Sequence, residues 1–405
     1  MKFVKIMKTM NNANTFKISP LIAVIIFSFI INSYFTALPF YMKKMAAGSS
    51  EIGIAFASYF SCYLMLCLYQ NKIGKKRSTK SIAVLIILLI ISLAITSINQ
   101  AMQSPSIFYL VSALLGLIQA SIWPALMSEI VSVGAEKELN KRLGRFNISW
   151  AIPMLISPMV AAFLLSKDTL YISLLMIVLL IFLLIVLSFL SIENEKTSNL
   201  NISNSQNKHL SLLLLFASSA LIAVSIVVML YKTHLAQLMV NKLNFNETSF
   251  ALVVTFINLG AVFIFFVQQH WHSWQWNKRW LIASQLVAIL AIVFIFSESL
   301  LLLFIGALLA GMAHGFMYGA HQFYCSVSNS SSLKAMSKHE IVQSGGIISG
   351  SLLAGFAGEI NFSMPYITAL VILITLLMYQ GIMTCRSPQK NLSKINSSPD
   401  LRIKV

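Results

Sequence analysis

Apolar residues run in long blocks along this chain, separated by short polar breaks. The blocks lie near 18–41, 52–70, 81–99, 107–130, 146–166, 170–191, 210–231, 249–269, 280–297, 300–325, 341–360 and 364–384. Each is close to the roughly 20 apolar residues that carry a helix across a bilayer core. In lipid only helices and closed barrels satisfy their own backbone groups. A barrel strand alternates over short segments, whereas runs such as LLMIVLLIFLLIVLSFL are unbroken. The pattern therefore predicts an all-α membrane protein with twelve transmembrane helices. The longest polar interruption between blocks is IENEKTSNLNISNSQNKHL, 192–210, with six blocks on either side. It predicts two six-helix bundles, 1–191 and 210–384, a cytoplasmic linker at 192–209 and a polar cytoplasmic tail at 385–405.

The blocks differ in character. The third, sixth and twelfth are rich in Leu, Ile and Val, as lipid-facing helices can be. The first, fourth, seventh and tenth carry polar side chains at helical spacing, which should face protein or water because exposure to lipid is costly. Ser28, Asn32 and Thr36 form one such stripe, and Ser218, Ser225 and Lys232 another. The two halves also resemble each other. ALLGLIQASIWPAL (113–126) lies over ALLAGMAHGFMYGAH (307–321) with one inserted residue. That overlay matches Gly116 with Gly311, Ala120 with Gly315, Pro124 with Gly319, Gln119 with His314 and Trp123 with Tyr318. SSEIGIAFASYF and NETSFALVVTFIN occupy corresponding places after the first block of each half. Weak symmetry between six-span halves marks transporters built from parallel repeats.

Composition agrees, because charged residues are only 10% of the 405 and hydrophobic ones 58%, against about a quarter charged in a soluble chain. The formal charge of +17 suggests a nucleic-acid partner until its positions are read. With the N-terminus inside, the outer segments hold only Lys43, Lys44, Lys167, Lys232 and Lys242 of the 29 Lys and Arg. Such a bias sets topology, with both termini cytoplasmic, and calls for no nucleic acid. The basic N-terminus leads into an apolar run too long for a cleaved signal, so it reads as a retained first helix. None of the four cysteines falls in an outer loop, so no disulfide framework is implied. The expected location is a cell membrane, read as a bacterial inner membrane.

NKIGKKR, Asn71 to Arg77, lies between the second and third spans. It resembles the Gly-x-x-x-Asp-Arg-x-Gly-Arg-Lys/Arg loop of the major facilitator superfamily. Gly74 keeps its place, Lys72 stands for the first Arg, and Lys75 and Lys76 supply the following positives. Asn71 replaces the Asp and Cys67 the leading Gly. LPFYMKKMAAGSSEIG (38–53), GLIQASIWPAL and GRFNISWAIPMLISPMVAA (144–162) are similar to the family's helix-one exit, helix four and helix five. The resemblance implies that family's twelve-helix fold, with a parallel pseudo-two-fold repeat and two bundles rocking about a central site. It also implies a cytoplasmic loop that latches the bundles, here Asn71, Lys72, Gly74, Lys75 and Lys76, with Glu129 as a partner for Lys72 or Arg145. The bland reading is a solvated topology loop. The family's drug antiporters often carry an Arg early in helix four, where Ser112 stands. Their helix-five glycine pattern reads here as Pro153, Ser157, Pro158, Ala161 and Ala162.

GMAHGFMYGAH, 311–321, concentrates the candidate chemistry. Gly311, Gly315 and Gly319 share one helical face, which admits a close neighbour. Gly346 and Gly350, with Ala354 and Gly358, repeat that spacing in the eleventh span, so the two stripes could pack together. His314, Tyr318 and His321 share another face. His314 either hydrogen-bonds a neighbouring helix or lines a wet cavity. His321 either lines that cavity or reaches the headgroups. Its alignment with Gln119 places His314 in the cavity, together with Trp123, Asn32, Thr36 and Ser225. Asn258 is a further polar-glue or cavity candidate. Glu129 and Glu359 lie near span ends, which leaves His314 as the central protonatable group. Lys232 reads as a snorkelling lysine and HWHSWQWNKRW (270–280) as an interfacial belt. The sequons at Asn246 and Asn361 need not be used. No metal-ligand spacing, P-loop, His-Glu-x-x-His or Gly-x-Ser-x-Gly is present, so neither a cofactor nor an enzyme is expected. The expected function is proton-coupled efflux of a small polar solute, sugar-, siderophore- or drug-like, by a monomer in the bilayer. Uptake or exchange of a metabolite is the alternative, and a transporter-like scaffold or sensor a second.

Overall fold

The computed structural model describes residues 18–76, 78–98, 105–132, 138–188, 204–239, 246–297, 299–328 and 331–386. Most of the expected linker and tail lies outside them. The described residues form twelve long helices. Those of the first half are α1 (Ile18–Lys44), α2 (Ser49–Ile73), α3 (Thr79–Ile98), α4 (Ser106–Ser132), α5 (Leu139–Lys167) and α6 (Thr169–Ser188). Those of the second are α7 (Asn204–Lys232), α8 (Glu247–His270), α9 (Lys278–Ile295), α10 (Leu300–Ser328), α11 (Ser332–Ile360) and α12 (Met364–Arg386). A single turn, His234–Gln237, follows α7. Eleven helices are long and apolar enough to cross a membrane, and α3 is a shorter apolar helix. Three helices begin well before their apolar blocks: α5 at Leu139, α7 at Asn204 and α11 at Ser332. The start of α7 also shortens the expected linker.

Local chemistry sets several of these ends. Asn246 caps α8 by accepting from the Ser249 N–H, and Asn361 follows α11 and accepts from the Ser363 N–H. Both sequon asparagines thus serve as caps and turn formers. Gly48 precedes α2, where its N–H is held by Glu51 at 2.8 Å. Gly74 ends α2 at φ 70°, a left-handed conformation open to glycine.

Apolar side chains point outward on the helices that carry little else. Val84, Ile87 and Ile91 of α3, Val178 and Ile185 of α6, and Val371 and Met378 of α12 are all exposed. These helices stand at the periphery, as lipid contact requires. Across the two halves, α2 packs on α11 and α5 on α8. Gly53 makes the first contact possible: a Cβ there would lie 2.6 Å from the Ser351 carbonyl oxygen and 3.0 Å from the Gly355 Cα.

The glycine stripes do not pack on each other. Gly311, Gly315 and Gly319 face Ile257, Ala261 and Gln268 of α8. Gly346 and Gly350 face Ile222, Ser225, Ile226 and Met229 of α7. Each stripe admits a different neighbour, because α10 is wedged between α7, α8 and α9 while α11 runs between α2 and α7. The internal repeat takes physical form here. Gly116 of α4 abuts the Tyr59 carbonyl of α2, as Gly311 of α10 abuts the Ile257 carbonyl of α8.

Hydrogen bonds join the two halves near both ends of the seam. At the Ser49 end, the Ser50 N–H donates to Glu359 Oε1 at 3.1 Å. At the Gly74 end, Asn140 donates to the Gln268 carbonyl, and Asn147 Nδ2 donates to Gln322 Oε1 at 2.8 Å. Gly144 lies against Gln269 beside them.

Candidate functional site

Ser331 caps α11, its side chain accepting from the Lys334 N–H, and two turns later the helix carries His339 and Glu340 into the interior. His339 is fully buried and Glu340 nearly so. The Tyr318 hydroxyl of α10 donates to Glu340 Oε1 at 3.1 Å. His339 Nε2 stands 3.8 Å from the same oxygen. His339 Nδ1 is 2.9 Å from His321 Nδ1, and His321 Nε2 is 2.9 Å from Ser218 Oγ. Aromatic rings close the site. Tyr318 meets Trp150 edge-on at 5.3 Å and His339 at 4.4 Å, and Trp150 meets Trp123 at 6.3 Å and Phe265 at 5.2 Å.

The bonding assigns the protons. Ser218 Oγ donates its hydrogen to the Leu214 carbonyl at 2.7 Å, so towards His321 it accepts. His321 Nε2 therefore carries the hydrogen, and the neutral ring offers Nδ1 as acceptor. His339 Nδ1 must then donate, which leaves His339 Nε2 bare and facing the carboxyl group. One further proton can sit between Glu340 and His339, giving a neutral pair or an ion pair. Without it the pair carries a buried negative charge, which costs free energy in so dry a place. The arrangement places a buried carboxyl group and imidazole 3.8 Å apart, where the two can share one proton.

The expected site residues divide around this centre. Tyr318 and His321 belong to it. His321 does not reach the headgroups, because α10 runs two turns beyond it and α11 covers it. Trp123 packs edge-on against Phe146 and Trp150. His314 is nine-tenths buried, 6.1 Å from the Tyr318 ring between centroids, and makes no hydrogen bond to a described residue. Asn32 is glue: its Nδ2 donates to the Met154 carbonyl at 2.8 Å and Ser157 Oγ at 3.0 Å. Asn258 donates to the same carbonyl. Thr36 turns back to the Asn32 carbonyl at 2.7 Å. Gln119 Oε1 and Ser225 Oγ are buried without a partner, and Ser225 lies against Gly346.

Lys232 ends α7 and is half-buried, with Thr233 and His234 after it buried. Of the four tryptophans at 270–280, Trp276 and Trp280 are exposed, but Trp274 is buried against Phe316 and Phe323 of α10.

The sequence matches the family model of the Major Facilitator Superfamily over residues 21–326. The chain belongs to the Major Facilitator Superfamily. It is a transporter and not an enzyme. Solved structures share the fold at low identity. The human organic anion transporter MFSD10 (TETRAN) superposes with a TM-score of 0.65 at 12% identity, over 89% of this chain and 98% of its own. The nucleoside transporter NupG gives 0.64 at 14%, over 92% and 99%. A bacterial homolog of the human lysosomal transporter Spinster gives 0.63 at 12%, over 91% and 96%. No curated protein matches at the level of sequence.

In this facilitator the loop after α2 differs from expectation in its partner. Glu129 pairs with Lys76, at 3.6 Å, and not with Lys72. The left-handed turn at Gly74 brings Lys76 back beneath α4, while Lys72 and Lys75 stay exposed and Asn71 half-buried. Arg145 is not in a loop but in the second turn of α5, exposed. The largest omission is Glu340 with His339. The apolar block begins at 341, one residue past the carboxylate. The visible signal was KHE at 338–340 directly before a glycine-rich span.

Proposed function

We propose that this facilitator moves a small polar solute by alternating access and couples it to protons through the Glu340–His339 pair. The supporting observation is the buried Tyr318–Glu340–His339–His321–Ser218 chain, which lies between the two bridged ends of the seam. A carboxyl group buried there can gain or lose a proton only when one end opens, which is what coupling requires. Glu340 takes the coupling role in place of His314, which is left free to meet solute. Asn32, Thr36, Gln119, Trp123 and Ser225 stand as supports of the cavity.

Two bundles, 1–191 and 210–384, rock about this centre as a monomer, joined by a cytoplasmic linker at 192–209, with the tail at 385–405 and both termini in the cytoplasm. The loop from Asn71 to Lys76, with Glu129 and Arg145 nearby, latches the cytoplasmic end, and the location is a bacterial inner membrane. The direction is efflux against entering protons. Uptake would use the same pair and the same gradient, with the solute entering alongside the proton.

The test has two steps. Metabolites inside and outside cells with and without the protein identify the solute. Its flux is then measured in reconstituted vesicles, with and without a pH gradient. Glu340→Gln keeps the acceptor for Tyr318 but cannot release a proton. It should lose the response to the gradient and keep solute exchange at equal pH. A gradient response equal to the parent's would remove Glu340 from coupling.

A further inference from the structure

Contacts along the seam fix how α2 and α11 lie against each other. A Cβ at Gly53 would meet Ser351 and Gly355, and a Cβ at Gly74 would lie 3.2 Å from Lys334 Cε. The two helices are therefore antiparallel. Counting along both between these contacts sets Gln70 level with Ser337, and Cys67, one turn further in, level with Glu340. Ile341 packs on the cluster of Tyr63, Leu66 and Cys67, as this register requires. The Tyr63 hydroxyl points towards Glu340 without closing a hydrogen bond to it. Facing directions agree. Ser337 precedes Gly355 by eighteen residues, about five turns, so it shares the α11 face that meets α2. Gly346, which abuts α7, points the opposite way.

Gln70 and Ser337 are both fully buried, and neither finds a partner for its side chain. Gln70 Nε2 and Oε1 and Ser337 Oγ make no hydrogen bond to a described residue. Other serines of that face turn back on their own helix: Ser344 donates to the Glu340 carbonyl at 2.6 Å and Ser351 to the Ile347 carbonyl at 2.8 Å. Ser337 does not. A buried amide and hydroxyl left unpaired cost free energy. Water both donates and accepts, and buried water bonds to such groups. Both residues lie one turn from Glu340 and Cys67 on the side of the exposed Gly74 turn. They stand on the shortest way from that end to the carboxyl group.

We infer that Gln70 and Ser337 hold water between α2 and α11 and pass protons between Glu340 and the Gly74 end of the molecule as that end opens. Each water takes one proton and hands on another, and the last reaches the Glu340 carboxylate. Gln70 and Ser337 keep their own hydrogens and act by positioning the water. The titratable groups around Glu340 are Tyr59, Tyr63 and Cys67 of α2, Tyr318 of α10 and His339 of its own helix, with His321 behind it. The inference deepens the coupling reading of Glu340 and rests on it.

Time-resolved infrared spectroscopy of the protein in lipid nanodiscs tests it without a solute. A laser flash releases protons from a caged acid, and the carboxyl stretch of Glu340, identified by its loss in Glu340→Gln, reports their arrival. Gln70→Met and Ser337→Ala should each slow that arrival by about tenfold or more. The midpoint pH of the band should stay at the parent's value, and Ser337→Thr, which keeps the hydroxyl, should keep the parent's rate. Size-exclusion profiles check folding, and Ser337→Ala decides alone if Gln70→Met does not fold. Parental rates in Gln70→Met and Ser337→Ala would overturn the route. So would a shifted midpoint or an equal slowing in Ser337→Thr, which mark a packing effect. A parent whose Glu340 band ignores pH altogether would instead remove the coupling reading, and the route with it.

Discussion

Asn258 of α8 donates its side-chain amide to the Met154 carbonyl of α5, and Pro158 is the reason that carbonyl is free. A helical carbonyl normally accepts from the N–H four residues on, and proline has none. Asn32 of α1 uses the same oxygen at 2.8 Å. One proline thus creates a junction of three helices drawn from both halves. Asn258→Leu should cost about 0.6 kcal/mol of stability, and up to about 1.7, as for other interhelical hydrogen bonds in membranes. Asn32→Leu should cost a similar amount. Because the two share an acceptor, the double variant should depart from additivity. Denaturation of the two single variants and the double variant reads this, and strict additivity would show that the carbonyl is no shared hub.

At the Ser49 end, Glu359 holds the first turn of α2 by accepting from the Ser50 N–H. Its charge also suits a helix N-terminus. Glu359→Gln should let this end open more often. In a background with the native cysteines replaced, Ser351→Cys sits in the buried seam. Its labelling by a water-soluble maleimide should speed up a few-fold when Glu359→Gln is added. An unchanged rate would mean that the clasp does not hold the end closed.

Two glycines in neighbouring helices should respond oppositely to alanine. A Cβ at Gly311 would run into the Ile257 carbonyl, whereas at Gly345 it would meet nothing within 4 Å. Gly311→Ala should destabilise by about 1–3 kcal/mol through overpacking. Gly345→Ala should be neutral or stabilise by up to about 1 kcal/mol through helix propensity. The melting temperatures of the two variants check the contrast.

The loop after α2 separates conformation from charge. Gly74→Ala forces a side chain into a left-handed turn, at about 1–2 kcal/mol, and Gly74→Asn should be milder. Lys76→Gln removes a partner of Glu129, while Lys72→Gln touches no ion pair among the described residues. Transport should fall in Lys76→Gln and hold in Lys72→Gln. Equal rates in both would reduce the loop to a topology signal.

Orientation has its own test. Ser78 and Ser297 are both exposed, at opposite ends of the helices. Impermeant reagent added outside intact cells should label Ser297→Cys and spare Ser78→Cys. The reverse pattern would turn the molecule over in the membrane.

The lipid-facing helices α3, α6 and α12 were legible along the chain, because uniform apolarity is what contact with lipid demands of each residue separately. The glycines of α4 and α10 were legible too, since small residues at a four-residue interval mark a close approach whatever approaches. Their partners were not. Gly311 could have met α11 as well as α8, and only the fold chose.

Glu340 marks the same limit from the other side. Hydropathy records the preference of a segment for lipid, so it ended the eleventh span at the first charge it met. The helix runs on through that charge because Tyr318 and the surrounding aromatic rings come from other helices and shelter it, beside His339 of the same helix. The sequence by itself determined the solvent of this protein, the number and spacing of its helices and the positions where backbones can touch. Tertiary structure alone decided which polar groups meet inside, because a hydrogen bond between helices depends on distances that no single helix contains.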